Sequence, residues 1–404
     1  MSPYPSTEVD LTGKVAPATS HWRELDELRE AHAVFWNTHG DGYWVVTRLD
    51  EVREAFHQPA TFCNRSISPI EPDPVYRMLP SFLEPPVHMR YRHLLNGWFS
   101  PGKVAAAAPA LDALARAEVE TLRPAGGCDY VDSFGARFPA AAMLAYLGLP
   151  VGDTDVLLDA VRRRAEIVAD VRSRLDPATA ASDDRRIMEA WGEIAAYWEP
   201  LIADRRVRPR DPDIDFVTSL TGCELDGRPL PPRDVVDILV TLTIGSLGTM
   251  RDQLGWCMHH LATHPEDRDR LRVQPELWPG AIEELLRFYA VASMARKATR
   301  DVDFHGCPVR EGDMLLLDIQ AANRDPRVFP DADRVVLDRS PNRHITFGAS
   351  AHRCMGSHLA RLELLTALRQ WHAALPDYEL ATGDTLLARG GQISLLRLPL
   401  RWDR

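Results

Sequence analysis

The residues with the clearest chemistry are Phe347-Gly348-Ala349-Ser350-Ala351-His352-Arg353-Cys354-Met355-Gly356, which run into the apolar helical pattern Leu359-Ala360-Arg361-Leu362-Glu363-Leu364-Leu365. Cys354 stands at the mouth of a helix, where unpaired N–H groups and the positive end of the dipole favour a thiolate, the form that binds a soft-to-borderline iron. Gly348 and Gly356 lack a Cβ, which lets the backbone approach a flat macrocycle. His352, two residues before the sulfur, can reach an anionic group beside it. A lone cysteine is more often a buried structural thiol; the pattern around Cys354 sets it apart.

That pattern resembles the haem-ligand signature of the cytochrome P-450 superfamily, Phe-Gly-x-Gly-x-His-x-Cys-x-Gly followed by Leu-Ala-Arg, with Ser350 in place of the second glycine. The resemblance implies haem b (iron protoporphyrin IX) as cofactor, Cys354 as the axial iron ligand, and Gly356 beside the ring. Haem carries two propionates, whose burial calls for forked or hydrogen-bonding cations. His88 and Arg92, one helical turn apart, resemble the family's His-x-x-x-Arg element, and Arg296 in Arg296-Lys297-Ala298 resembles its strand arginine. With His352 they make four propionate partners from three distant parts of the chain. Glu284-Leu285-Leu286-Arg287 sets opposite charges at i and i+3, a pair that alone usually decorates a solvated face. Here it resembles the family's Glu-x-x-Arg motif, with Arg334 as the expected third, structural member locking the stretch that delivers Cys354. Asn323-Arg324-Asp325-Pro326, followed by Phe329-Pro330, matches the family as well.

Leu242-Thr243-Ile244-Gly245-Ser246-Leu247-Gly248-Thr249 lies in a long helical run, where each glycine costs about 1 kcal/mol relative to alanine and invites a kink. Close helix packing explains such glycines as well. The resemblance makes this the oxygen-binding groove, with Thr249 as the oxygen-activating threonine and Gly248 where the family carries an acid. Protons are then expected through water held by Ser246, Gly248 and Thr249, with Asp252 one turn away as a remote source. A register one residue off, with Gly248 in the threonine's place, needs a one-residue gap before Pro265. No Arg-Pro pair of the peroxide-driven branch occurs at 245–252, which favours electron delivery by a partner.

The elements that must position these residues read as mainly α. Helical patterns cover 22–36, 87–98, 107–122, 134–147, 154–174, 183–206, 266–272, 279–288 and the segment after Cys354, with Asp50 as a cap for a further short helix. The proline-free run from Arg233 to Thr263 is expected to be a central beam. Strands are expected near 43–47, 295–304, 313–319, 377–381 and 392–400. Seven prolines make 59–87 an irregular connection, 321–353 is also irregular, and 176–183 has the composition of a loop tip. The expectation is one cytochrome P-450 catalytic domain over 1–404, helical with small peripheral β-sheets, after a polar leader at 1–20.

The chain has 404 residues and a net charge of −11, which argues against nucleic acid as the main partner. Six widely spaced cysteines, at 63, 128, 223, 257, 307 and 354, fit neither a zinc site nor a disulfide framework and suit a reducing cytoplasm. There is no signal-peptide pattern and no window of about 18 apolar residues, so no membrane partner is expected. The resemblance implies a monomeric haem-thiolate monooxygenase, with a separate ferredoxin and ferredoxin reductase as electron donors and a small-molecule substrate of secondary metabolism. Lys103, Arg343 and Arg353, with Arg90 or His93, form the expected docking patch. Phe62, Arg65, Ile67, Met78, Phe82, Thr243, Ser246, Leu247, Val291, Ala292, Ser293, Met294, Gln392 and Ile393 are the expected substrate contacts, any apolar one of which can equally be core. Two alternatives follow from Gly248: an atypical oxidation such as coupling, ring closure or desaturation, or a haem-binding module that does not turn over. A helical interaction protein without haem is the remaining class.

Overall fold

The computed structural model describes residues 4–174, 179–381 and 383–403. Pro232–Thr263 forms one unbroken helix, a beam of about 48 Å at ~1.5 Å per residue. Proline in its first turn suits the orphan N–H positions, and Pro265 follows its end. The helix packs against Ala180–Val207, Arg137–Tyr146 and Ser357–Ala374. It is buried over 234–241 and 252–261, and its middle opens: Gly245 is exposed and Ser246, Gly248 and Thr249 are half-buried.

The main sheet has six strands in the order Ser6–Thr7, Val34–Asn37, Tyr43–Val46, Met314–Leu317, Met294–Ala298 and Phe62–Cys63. Its register sets Arg296 opposite Leu315, which fixes where that guanidinium leaves the sheet. The remaining sheets are two- and three-stranded. One apolar core fills the space among the helices and another lies beneath the main sheet.

The expected helix at 22–36 is shorter. It spans Ser20–Ala31, His32 turns extended at φ −145°, and Val34–Asn37 pairs with Tyr43–Val46. Val34 and Phe35 continue the apolar spacing, but as β-branched and aromatic residues they suit a strand. Asp50 lies inside the helix Leu49–Phe56 rather than capping it; the Leu49 N–H donates to Asp325 Oδ2 at 3.3 Å. Of the expected loop tip, 176–178 fall outside the described residues, and Ala180 onward is helix.

Candidate haem-binding site

Cys354 lies three residues before the helix Ser357–Ala374. Its N–H donates to Phe347 O at 2.8 Å, closing a loop in which Gly348 (φ +68°) and Ser350 (φ +61°) both take left-handed backbone. Cys354 is exposed as a residue, while the protein atoms around its side chain push the thiol pKa up. The Gly356 N–H and the charges of Arg92, Arg353 and Arg361 pull the pKa back without cancelling burial. A Cβ at Gly356 would lie 4.0 Å from the sulfur.

Four side chains expected around propionates gather in one cluster. The rings of His88 and His352 are 4.1 Å apart. Asn64 joins the cluster, its Oδ1 accepting from Arg296 Nη1 at 2.9 Å and its Nδ2 lying 3.3 Å from His352 Nδ1. Glu84 pairs with His352 Nε2 at 3.2 Å, and Arg92 Nη1 donates to Ala351 O at 3.2 Å. Burial, with the charges of His352 and Arg92, holds His88 down at about 4, and burial holds Arg296 down at about 10. His88 Nδ1 is buried and has no hydrogen-bond partner among the described residues. Buried polar atoms without partners are rare in folded proteins, so this atom fits an anionic group arriving from outside the chain. Sequence reasoning singled out neither Asn64 nor Glu84 as a site residue, although Glu84 opens the stretch that carries His88 and Arg92.

The Glu284–Arg287 pair is 0% exposed on both sides and bidentate, with two bonds of 2.8 Å. Arg287 Nη1 also donates to Asn323 O and Ala332 O, and Nη2 to Arg334 O. The third side chain is Arg339, whose Nε reaches Glu284 at 2.9 and 3.0 Å. Arg334 does not fill that role. Its side chain turns to solvent and pairs with Asp331, leaving only its carbonyl in the cluster. Asn323 then holds Ile345 N and Thr346 Oγ1, so the lock extends toward the cysteine loop.

On the central helix, the Thr249 hydroxyl donates to Gly245 O at 2.8 Å. Ser246 and Thr243 are committed elsewhere. Ser246 Oγ donates to Leu242 O at 2.7 Å and lies 3.1 Å from Met143 Sδ, while Thr243 accepts from Trp198 Nε1 at 3.0 Å and is fully buried. Helix phase turns both toward neighbouring helices, because each residue advances the side chain by about 100°. Phe62 is likewise core, edge-on to Phe304 at 5.2 Å under the main sheet.

Arg65 and Phe82 line a cleft of about 250 Å³ with Asp73, Arg77 and Leu79. Ile67 and Ala292 are half-buried on the main core, whereas Met78 and Leu247 lie within it. Val291 O accepts from Ile393 N at 2.8 Å, bringing those two segments together, and Ser293 Oγ donates to Asp318. Met294 is half-buried at the start of its strand. In the expected docking patch, Lys103 is drawn to Asp213 O and the Trp98 ring and Arg90 to Asp226. Arg343, Arg353 and His93 are exposed.

The family model described as Cytochrome P450 matches residues 34–371. A probable cytochrome P450 127A1 of Sinorhizobium fredii is 32% identical, covering 90% of this chain and 84% of its own. The mycinamicin IV hydroxylase/epoxidase of Micromonospora griseorubida is 31% identical over 90% of this chain and 89% of its own. The solved structure of the bottromycin biosynthetic protein SalCYP superposes with a TM-score of 0.81 at 30% identity, covering 99% of this chain and 95% of that one. The chain therefore belongs to the cytochrome P450 family, whose members are haem b monooxygenases.

Proposed function

We propose that this protein is a bacterial-type monooxygenase of secondary metabolism that oxidises a small organic substrate, with a separate ferredoxin and its reductase supplying the electrons. The observation that carries the reading is His88 Nδ1, buried without a partner among the described residues, in a cluster with Arg92, Arg296 and His352 close to Cys354. Cys354 is the residue that would hold the haem iron, and the four-residue cluster would hold the propionates. When bound, the haem supplies oxygen activation: one O₂, two electrons and two protons yield one oxygen atom in the product and one water.

The chain's own residues position and exclude. The buried Glu284–Arg287–Arg339 lock holds the stretch leading to the cysteine loop. Thr249 keeps its hydroxyl in the open part of the central helix through its bond to Gly245 O. The relatives named for mycinamicin and bottromycin support a secondary metabolite as substrate. Exposed Arg343, Arg353 and His93 support docking of an acidic ferredoxin. No helix among the described residues is long and apolar enough to cross a membrane. The six unpaired cysteines support a reducing cytoplasm as its place of work, where the chain would act as a monomer built as one domain over 1–404.

Gly248 favours a second reading within the same family, an atypical oxidation such as coupling, ring closure or desaturation. Purified protein with a ferredoxin, its reductase and NAD(P)H tests both against a panel of secondary metabolites that includes mycinamicin and bottromycin precursors. Oxygenated product supports the first reading, and a product oxidised without added oxygen supports the second. Haem binding without substrate-dependent NAD(P)H consumption by any compound would overturn both in favour of a non-turnover module.

A further inference from the structure

The central helix carries a buried carboxylate, Asp252, whose hydrogen bonds reach a distant segment of the chain. Positions 245, 248, 249 and 252 follow the i, i+3, i+4, i+7 spacing of one helix face, so Asp252 shares the stripe of Gly245, Gly248 and Thr249. Its side chain is 2% exposed. Three donors converge on it: Arg251 Nη1 at 3.0 Å on Oδ1, and Ser394 Oγ at 2.6 Å and Gln392 Nε2 at 2.5 Å on Oδ2. Gln392 reaches over from the last turn of the chain, whose backbone is fixed by Ile393 N to Val291 O and by Trp256 Nε1 to Ile393 O, both 2.8 Å.

The carboxylate orients the amide. Asp252 accepts only, so the nitrogen of Gln392 must face it and the oxygen must point away. The oxygen of this half-buried side chain has no hydrogen-bond partner among the described residues and is not sealed from solvent. A Cβ at Gly248 would lie 3.3 Å from Gln392 Nε2, so the amide tip and any side chain at 248 compete for one space. Thr249 donates its own hydrogen to Gly245 O, which leaves its oxygen free only to accept. A water donating one hydrogen to Thr249 Oγ1 and the other to an acceptor at Gln392 would keep its own lone pairs for incoming protons.

We propose that Gln392, pinned by Asp252, is a positioning residue of the oxygen-binding groove: its amide oxygen holds the water that serves Thr249, from the space a side chain at 248 would otherwise fill. The inference rests on the haem monooxygenase reading. It explains why glycine stands at 248, since a larger residue there would displace the amide.

Two variants test it. Gln392→Leu removes the acceptor at similar volume, and Gly248→Ala pushes the amide aside while improving helix propensity. The first readout is the infrared C–O stretching band of the carbonmonoxy protein, which senses polar groups beside the ligand and needs no turnover. The second is the share of electrons released as hydrogen peroxide. Both variants are expected to shift or broaden the band and raise the peroxide share about fivefold, the factor one hydrogen bond is worth. A normal wild-type Soret band with both variants unchanged in band and peroxide share would overturn the inference alone, even if Gln392→Leu melts earlier. A wild-type protein without a thiolate-type Soret band would overturn the haem reading and the inference with it.

Discussion

At Ser350 the haem-ligand signature departs from glycine, and the backbone makes that departure costly. Its φ of +61° is left-handed, a region that strains residues carrying a Cβ by roughly 1 kcal/mol or more. Ser350→Gly is expected to stabilise the protein by about 1 kcal/mol, read as a melting temperature higher by about 2 °C. Thr249 makes its shorter hydroxyl bond to Gly245 O. Thr249→Ala should raise peroxide release several-fold at the expense of product, and unchanged coupling would count against its part in proton delivery. Cys354, His88, Arg92, Arg296 and His352 stand out in the sequence as candidates because each sits in a motif. Asn64 and Glu84 do not, because only the fold brings 64, 84, 296 and 352 together.

Among the elements, the helix Trp278–Phe288 holds the irregular stretch before Cys354 in place, Arg287 gripping the carbonyls of Asn323, Ala332 and Arg334 while Glu284 receives Arg339. Arg339→Ala would leave Glu284 with one arginine fewer at 0% exposure but still paired with Arg287, an expected loss of about 1.5–3 kcal/mol with weakened haem retention. Arg334→Ala should stay within about 0.5 kcal/mol. The sequence pointed to the wrong arginine because an irregular segment has no periodicity to rank 334 against 339. The same helix anchors the one after the cysteine: Arg361 reaches Glu283 at 2.6 Å and His344 at 3.1 Å completes the cluster. Burial opposes ionisation of Glu283, but Arg361 and His344 outweigh it and hold the pKa at about 2, against an ordinary 4.5. That stabilisation is complete above pH 4.5 and is lost as the pH falls through about 2. Glu283→Gln should flatten the stability profile across this window, by about 1–2 kcal/mol after allowance for solvent screening.

Across the whole molecule, helical periodicity made the class legible and a long proline-free run made the central beam legible, since both are local signals. The main sheet was harder to read. Its strands come from residues 6 to 317, are mostly two to five residues long, and pair by tertiary contact rather than local pattern. The central claim is that this architecture delivers one thiolate to a haem iron. The absorption spectrum of the reduced, carbon monoxide-bound protein tests it most directly, with Cys354→Ser as the control. A red-shifted Soret band in the wild type that disappears in Cys354→Ser, with the far-ultraviolet circular dichroism retained, is the predicted result. A wild-type band at the position of imidazole-ligated haem, or a red-shifted band that survives Cys354→Ser, would contradict it.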